Sequence, residues 1–263
     1  MNEIALITGS SSGIGLYTAR ELYKKGYRVY GLFRNVRDIE GQIAIKCDVT
    51  DEQQVINAVT QIIEKEGKID LLINCAGFGI SGAIEFTELS EAKAQFDTNF
   101  FGMVNVNKAV IPYMRKQGKG RIINISSVAA IAGIPFQGFY SASKAAIDSY
   151  TLALRNELRP FGIEAGSILP GDIKTGFTAA RRKNEEGDDI YSGRISRSVH
   201  TMEKDEENGI SAETAGRIVA EIATARTLKP QKVLGFSYKI AVVLLRLLPQ
   251  RLSNWLVYQL YGR

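Results

Sequence analysis

Short apolar runs alternate along the chain with longer segments in which apolar residues recur at helical spacing. The runs predict strands and the longer segments predict helices. The predicted strands are Ile4–Thr8, Arg28–Phe33, Ile43–Asp48, Ile69–Asn74, Arg121–Ser126, Ile163–Leu169 and Lys232–Gly235. The predicted helices are Ile14–Lys25, Glu52–Lys65, Glu91–Arg115, Ser141–Arg159 and Ala212–Ala223. The alternation indicates a single-domain α/β fold, with a Rossmann-type doubly wound parallel sheet of about seven strands.

Two segments depart from this alternation. Residues 176–208 are polar, charged and aperiodic, which predicts a mobile substrate loop over a site. Residues 237–260 have amphipathic helical spacing, broken near Pro249, and the stretch Ile240–Leu248 is too short to cross a bilayer. We therefore expect one domain over residues 1–236 and a C-terminal amphipathic helical extension over residues 237–263.

The net charge of +5 is concentrated at one end of the chain. Thr224–Arg263 contains seven basic residues and no Asp or Glu, which leaves 26 basic and 28 acidic residues in the remainder. These basic residues are interleaved with aliphatic ones and belong to no recognised nucleic-acid module, so we do not expect nucleic-acid binding. A basic apolar segment instead suits an anionic ligand or peripheral contact with a membrane surface.

Cysteine and histidine usage excludes several kinds of site. Cys47 and Cys75 lie in strand-like runs without CxxC spacing, which argues against a disulfide framework or a metal site and for a reducing compartment. The single histidine, His200, excludes sites that need two. The N-terminus enters a strand at once, without the pattern of a signal peptide. We expect a cytoplasmic protein without a metal.

A glycine-rich turn, Thr8-Gly-Ser-Ser-Ser-Gly-Ile-Gly15, follows the first predicted strand. Its glycines let backbone approach a pyrophosphate, whose charge meets the N-terminus of the next helix. The same letters match the GxSxG nucleophile elbow of hydrolases, with Ser11 as nucleophile and His200 as base. We disfavour that alternative because an elbow follows several strands, and here one strand precedes it.

Tyr140 and Lys144 lie four residues apart in FYSASKAAIDSY, at the start of a predicted helix. Helical spacing places both on one face. An isolated pair of this kind is most often a packed aromatic and a lysine that reaches water. A fixed ammonium would also stabilise the phenolate and lower the phenol pKa from about 10 toward neutral, which suits a general acid or base.

Further motifs give the chain a close resemblance to the short-chain dehydrogenase/reductase family over residues 4 to about 235. Asn74-Cys-Ala-Gly77 and Asn99-Phe-Phe-Gly102 resemble two of its motifs. Arg121-Ile-Ile-Asn-Ile-Ser-Ser127 resembles the strand that carries the catalytic serine, and the spacing to Tyr140 selects Ser127. Pro170-Gly-Asp-Ile-Lys-Thr175 resembles the segment that holds the nicotinamide carboxamide.

The resemblance implies an oxidoreductase that transfers a hydride between a nicotinamide cofactor and an alcohol or ketone. Tyr140 is the implied general acid/base, Lys144 binds the nicotinamide ribose, and Ser127 polarises the substrate oxygen. Asn99 is implied to hold a water that links Lys144 to solvent. The implied cofactor-binding residues are Gly9, Ser11, Ser12, Gly13, Ile14, Gly15, Arg34, Asp48, Val49, Asn74, Ala76, Gly77, Tyr140, Lys144, Pro170, Gly171, Ile173 and Thr175.

The end of the second predicted strand indicates NADP(H) as the cofactor. NAD-preferring members carry an acidic residue at the position of Phe33, where it binds the ribose 2′-hydroxyl. An apolar residue followed by Arg34 resembles NADP(H)-preferring members. Asp48, followed by Val49, resembles the residue that reads the adenine amino group. Arg37 is predicted to face solvent.

Apolar residues between Ser127 and Tyr140 predict an apolar substrate pocket. They are Ile131, Ile134, Pro135, Phe136 and Phe139. The expected substrate is a bulky apolar hydroxy or keto compound, with or without an acidic group, such as a steroid, bile acid or retinoid. Fatty-acyl derivatives and small aliphatic or aromatic ketones are the alternative class, and an NADP(H)-binding regulatory or sensor protein is the alternative function.

Apolar bulk on two long predicted helices suggests self-association. Glu91–Arg115 and Ser141–Arg159 carry Phe100, Met103, Tyr150 and Leu154. Members of the resembled family commonly pair these helices across a two-fold axis. We therefore expect a homodimer or homotetramer.

Overall fold

The computed structural model describes residues 2–263 and has a central sheet of seven strands. The strands are β1 (Ile4–Thr8), β2 (Arg28–Phe33), β3 (Ile43–Lys46), β4 (Leu71–Asn74), β5 (Gly120–Ile125), β6 (Ile163–Pro170) and β7 (Gln231–Leu234). All pair in parallel, in the order β3-β2-β1-β4-β5-β6-β7. The predicted single-domain Rossmann-type sheet is confirmed.

Nine helices of eight or more residues occur within residues 2–263. They are α1 (Gly13–Lys24), α2 (Glu52–Glu66), α3 (Leu89–Phe96), α4 (Gly102–Gln117), α5 (Gly138–Leu158), α6 (Arg194–Glu207), α7 (Ala212–Thr224), α8 (Phe236–Leu247) and α9 (Gln250–Tyr261). Shorter helical turns span Ile84–Phe86, Val128–Ala130, Arg159–Phe161 and Phe177–Ala180. Two pairs of two-residue strands complete the fold: Ile80–Ser81 with Arg182–Lys183, and Ile173–Lys174 with Ile210–Ser211.

The helices form a layer on each face of the sheet. Successive strand side chains point to opposite faces, so β1 sends Leu6 to one layer and Ile7 to the other. Apolar residues of α2, α4 and α5 pack on the first face. Apolar residues of α1 and α7 pack on the second face. With both faces covered, the loops at the carboxyl ends of the strands remain to form a site.

The helix predicted over Glu91–Arg115 is interrupted. A π-helical turn, Asp97–Phe101, joins α3 to α4 and carries Asn99. Such turns occur frequently at functional sites, because the extra residue redirects the side chains around it.

The prediction of an aperiodic mobile loop over residues 176–208 is wrong. The segment contains the helical turn Phe177–Ala180 and the helix α6. Ile195, Val199 and Met202 are buried, and their spacing places them on one face of α6. Burial of this stripe fixes the segment against the domain.

The C-terminal extension forms α8 and α9, with the predicted break at Pro249. Both helices pack against the domain: Tyr238 donates a hydrogen bond to Asp172, and Tyr261 donates one to Asp205 (3.2 Å). Between Asn2 and Arg263 the fold has no helix that combines the length and the apolar character needed to cross a membrane.

Candidate active site

A cleft of about 1150 Å³ lies at the carboxyl ends of the strands. It brings together every predicted cofactor-binding residue except Asn74, and it also contains the predicted catalytic residues Ser127, Tyr140 and Lys144. Residues that are distant in sequence meet here because β1, β4, β5 and β6 all end at this edge of the sheet. The cleft is therefore the candidate active site.

The glycine turn leads from β1 into the open N-terminus of α1. Gly9 has a φ of +65°, and a Cβ there would lie 2.8 Å from the backbone of Ala76, so only glycine permits this close approach. Ser12 precedes α1, and its side chain caps no N–H group within the described chain. The first N–H groups of α1 therefore face the cleft without a side-chain partner, which fits a phosphate.

The end of β2 presents a basic side chain to the same cleft. Phe33 is buried, whereas Arg34 is exposed and lines the cleft beside Asn35. Arg37 does not simply face solvent as predicted, because its guanidinium donates a hydrogen bond to the carbonyl oxygen of Ser11 in the glycine turn. This end of the cleft combines free backbone donors with a guanidinium, which fits a phosphorylated ribose.

Two consecutive residues close the predicted adenine end. Asp48 and Val49 follow β3 and line the cleft. The Asp48 carboxylate accepts hydrogen bonds from the Thr50 N–H (3.0 Å) and hydroxyl (2.8 Å), which fix its orientation. A positioned carboxylate of this kind can accept a hydrogen bond from an amino group.

Asn74 corrects the sequence prediction, because it lies outside the cleft. Its amide nitrogen donates to Asn107 and to Asn124, each at 2.9 Å. Asn124 in turn donates to Thr151 (2.9 Å). A buried amide requires such partners, and this one ties β4 to α4, β5 and α5. Asn74 supports the sheet beneath the cleft.

Tyr140 is held beside Ser127 and against Phe177. The centroids of the Tyr140 and Phe177 rings are 5.8 Å apart. Burial raises the pKa of the Tyr140 phenol to about 12, and a hydrogen bond with the Ser127 hydroxyl acts in the opposite direction. The predicted lowering of this pKa toward neutral is therefore wrong for this arrangement. The phenol is protonated at neutral pH, as a proton donor must be.

Lys144 lies below the Tyr140 ring, with its Nζ 5.7 Å from the ring centroid. Nζ donates to the carbonyl oxygen of Ile125 (3.0 Å). Burial lowers the pKa of Lys144 to about 8, although Cys75 and Asp148 act to raise it. The ammonium therefore titrates close to the operating pH.

Asn99 braces the cleft wall from behind. Its Oδ1 accepts from the Phe78 N–H (2.9 Å), and its Nδ2 donates to the Phe78 carbonyl oxygen (3.0 Å) and to the Ser143 hydroxyl (3.2 Å). The side chain is buried outside the cleft lining. These hydrogen bonds indicate that Asn99 positions the backbone of Phe78. The water relay that the family resemblance implies for Asn99 stays a prediction.

The part of the cleft that faces the substrate differs from the prediction in two ways. It contains acidic residues, and only one residue of the apolar run predicted to line it does so. Ile134 lines the cleft, but Phe136 packs against Tyr191 in a separate buried cluster. Among the lining residues that sequence reasoning missed are Phe78, Asp172, Phe177, Met202, Glu206 and Tyr261. Burial, followed by Asp205 and Glu206, raises the pKa of Asp172 to about 7.

The hydrolase alternative finds no support in the geometry. His200 lies on the exposed side of α6, and Ser11 lies in the glycine turn at the cleft. Residues 2–263 also contain no group of three His, Cys, Asp or Glu side chains that could hold a metal ion.

The two shifted pKa values predict how reduction depends on pH. We expect kcat/KM for ketone reduction to fall as pH rises through about 8, because Lys144 loses its proton while Tyr140 stays protonated. A neutral Lys144 no longer stabilises the phenolate left by proton donation. The measurement is a pH–rate profile of wild type and of Asp172→Asn, since Asp172 titrates nearby. A flat profile across that range in both proteins contradicts the assignment.

Comparison with known proteins agrees with this geometry. The profile of the family described as short chain dehydrogenase matches residues 3–186. A 3-ketodihydrosphingosine reductase of Bacteroides thetaiotaomicron is 45% identical over 228 residues, which cover 85% of this chain and 84% of the relative. A short-chain dehydrogenase of Streptomyces avermitilis is 25% identical, with a TM-score of 0.86 over 97% of this chain and 96% of that one. A solved structure of ElxO with NADP bound, also 25% identical, has a TM-score of 0.75 over 91% and 100%.

Proposed function

This chain belongs to the short-chain dehydrogenase/reductase family, and on that premise we propose that it is an NADP(H)-dependent reductase of a long-chain apolar ketone. The substrate class we propose is that of 3-ketodihydrosphingosine, a ketone with a long alkyl chain and an amino group beside the carbonyl. The observation that carries the proposal is the arrangement of Tyr140 with Ser127 and Lys144 in one cleft, beside apolar residues and a carboxyl group on the substrate side.

The residues divide the proton chemistry among them. Ser127 and Tyr140 both donate to the carbonyl oxygen, which polarises the carbonyl group. NADPH, when bound, supplies the hydride that reduces the carbonyl carbon. Tyr140 gives its proton to the oxygen as negative charge develops there, and the Lys144 ammonium stabilises the resulting phenolate. Burial keeps the Tyr140 phenol protonated, which is the form that ketone reduction requires.

Two features of the cleft support NADP(H) as the cofactor. The open N-terminus of α1 suits the pyrophosphate. Arg34 follows β2 and lines the cleft, where its guanidinium could meet a 2′-phosphate, and the Phe33 side chain offers no acceptor for a ribose 2′-hydroxyl. The ElxO structure with NADP bound shows that this cofactor occupies the fold in a related chain.

The substrate class is supported by the lining of the cleft beside Tyr140. Phe78, Phe177 and Met202 offer apolar contact for an alkyl chain. Asp172 places a carboxyl group on the same side, where an amino group can be accommodated, whereas the nearby Glu206 carboxylate is already paired with Arg181. The name of the Bacteroides relative agrees with a fatty-acyl-derived ketone, the alternative class expected from the sequence, more closely than with a steroid, bile acid or retinoid.

A substrate panel tests the proposal. NADPH oxidation is measured with 3-ketodihydrosphingosine, with a long-chain ketone that lacks the amino group, and with a steroid ketone. We expect the highest kcat/KM for 3-ketodihydrosphingosine. A higher value for the steroid ketone contradicts the substrate class, and NADPH binding without turnover of any ketone favours a sensor protein instead.

We also propose that the chain self-associates. Fewer apolar residues are exposed on the two long helices than the sequence predicts. Met103 of α4 and Leu154 of α5 are buried within the chain, whereas Phe101, in the turn before α4, and Leu152 of α5 are exposed. We expect a homodimer or homotetramer that covers Phe101 and Leu152. Light scattering at micromolar concentration is the measurement: Leu152→Glu should lower the mass of the wild-type assembly, and a monomeric wild type contradicts the prediction.

The proposal places the enzyme in the cytoplasm. Cys47 and Cys75 are free thiols within the described chain, which suits a reducing compartment.

A further inference from the structure

The helix α8 turns an apolar face away from the protein. Its exposed apolar residues recur at helical spacing and lie on one side: Phe236, Ile240, Val243, Leu244 and Leu247. Phe236 and Leu247 are 78% and 77% exposed, whereas Val242, on the opposite side, is buried. A helix on a globular surface normally buries its apolar face, so this orientation needs a partner outside the chain.

The next helix, α9, continues the exposure with aromatic residues. Trp255 and Tyr258 are exposed and lie on one side of α9, opposite the buried Ser253 and Val257. Side chains with an apolar ring and a polar tip are typical of the boundary between lipid and water. We give the name tail surface to seven of the exposed apolar residues of the two helices: Phe236, Ile240, Val243, Leu244, Leu247, Trp255 and Tyr258.

The charged residues of α8 and α9 themselves all have one sign. Lys239 and Arg246 flank the apolar face of α8, and Arg251 lies beside Trp255 on α9. No acidic residue occurs between Thr224 and Arg263. Basic residues around an apolar face are complementary to a surface that is apolar within and negatively charged outside.

We propose that the tail surface binds a membrane that contains anionic lipid, with α8 lying in the plane of the interface. At 12 residues α8 is about 18 Å long, so it suits contact with one side of a bilayer rather than passage through it. A second copy of the chain fits less well. A two-fold contact over this surface brings basic residues together with no acidic partner in either tail.

The inner sides of the same helices contact the active site, so that a membrane bound to their outer sides would lie close to the cleft. Tyr238 of α8 donates a hydrogen bond to Asp172, and Tyr261 of α9 lines the cleft. A membrane on the outer side therefore lies next to the substrate side of the cleft. The inference extends beyond the proposed function and does not depend on it, because it rests on the outer faces of α8 and α9.

Vesicle co-sedimentation of the full chain tests the proposal. The vesicles are phosphatidylcholine alone, and phosphatidylcholine with phosphatidylglycerol as one third of the lipid. We expect the wild type to sediment with the anionic vesicles and to be released by salt. Leu244→Glu/Leu247→Glu should reduce binding at least about tenfold. Lys239→Gln/Arg251→Gln should reduce it about fivefold for each charge removed.

A matched control adds the same two charges elsewhere. Leu89→Glu/Ile190→Glu changes exposed apolar residues outside the tail surface, and it should bind as the wild type does. Equal sedimentation of the control and of the Leu244→Glu/Leu247→Glu variant overturns the proposal. A wild type that stays in the supernatant with anionic vesicles also overturns it. If, in addition, the Leu244→Glu/Leu247→Glu variant has half the wild-type mass in light scattering, the tail surface binds a second copy of the chain instead. If the Leu244→Glu/Leu247→Glu variant shows no cooperative melting, Lys239→Gln/Arg251→Gln decides.

Discussion

Replacing Tyr140 by Phe is expected to lower kcat for ketone reduction by about 10²–10⁴-fold, the usual contribution of general acid catalysis. The change removes the transferable proton and keeps the ring that packs on Phe177. NADPH binding should persist, because the glycine turn and Arg34 lie elsewhere in the cleft. Single-turnover kinetics with saturating NADPH measures the chemical step, and titration of NADPH fluorescence measures binding.

Tyr261→Phe is the matched control for this experiment. It also removes a phenol from the lining of the cleft, but that hydroxyl bonds to Asp205 rather than to Ser127. We expect its kcat to stay within about threefold of the wild type, well inside the range for loss of a general acid. A Tyr140→Phe enzyme that retains that much activity contradicts the role of the phenol as proton donor.

Arg34→Ala is expected to lower the preference for NADPH over NADH by roughly 10- to 150-fold, as hydrogen bonds to charged groups contribute about 1.5–3 kcal/mol. The guanidinium can meet a 2′-phosphate with a planar pair of donors, whereas NADH offers a hydroxyl there. The effect should appear as a higher KM for NADPH, with that for NADH nearly unchanged. Arg217→Ala, which removes an exposed arginine from α7, is the control.

The reciprocal change tests the same site with the opposite sign. Phe33→Asp should repel the 2′-phosphate and provide an acceptor for the ribose 2′-hydroxyl of NADH. The decisive quantity is the ratio of kcat/KM values for the two cofactors in wild type and in both variants. A wild type that prefers NADH contradicts the assignment of Arg34.

The sheet and most of the cleft were predictable because local sequence determines them. Each strand is a continuous apolar run, and the helices between them show helical spacing. The residues around Gly9 and Tyr140 follow from short motifs whose spacing is tied to one function. Motifs of this kind can be recognised in the sequence without knowledge of the rest of the fold.

The failures share a different cause, since each depended on contacts between distant segments. Ile195, Val199 and Met202 have the spacing of one helix face. The many charged residues between and around them make the segment look aperiodic in sequence, and only the fold shows that this face is buried. Asn74 begins the cofactor motif that ends at Gly77, yet its side chain points to Asn107 and Asn124. The pattern of residues around it gives no sign of that direction.

The pKa of Tyr140 was mispredicted for the same reason. A pair of residues four apart shows that an ammonium is near, but it does not show how deeply the phenol is buried. Burial is the largest influence on both groups here, and it raises the pKa of Tyr140 while lowering that of Lys144. The acidic residues Asp172 and Glu206 come to the cleft from β6 and α6, and only the fold brings them together.

The most direct test of the account follows a labelled hydrogen. The enzyme is incubated with 3-ketodihydrosphingosine and NADPH that carries deuterium at the transferable position of the nicotinamide, and the product is examined by mass spectrometry. The account predicts an alcohol with a single deuterium on the carbinol carbon, formed by the wild type and strongly reduced in Tyr140→Phe. Recovery of unlabelled ketone from a wild type that binds NADPH would contradict it.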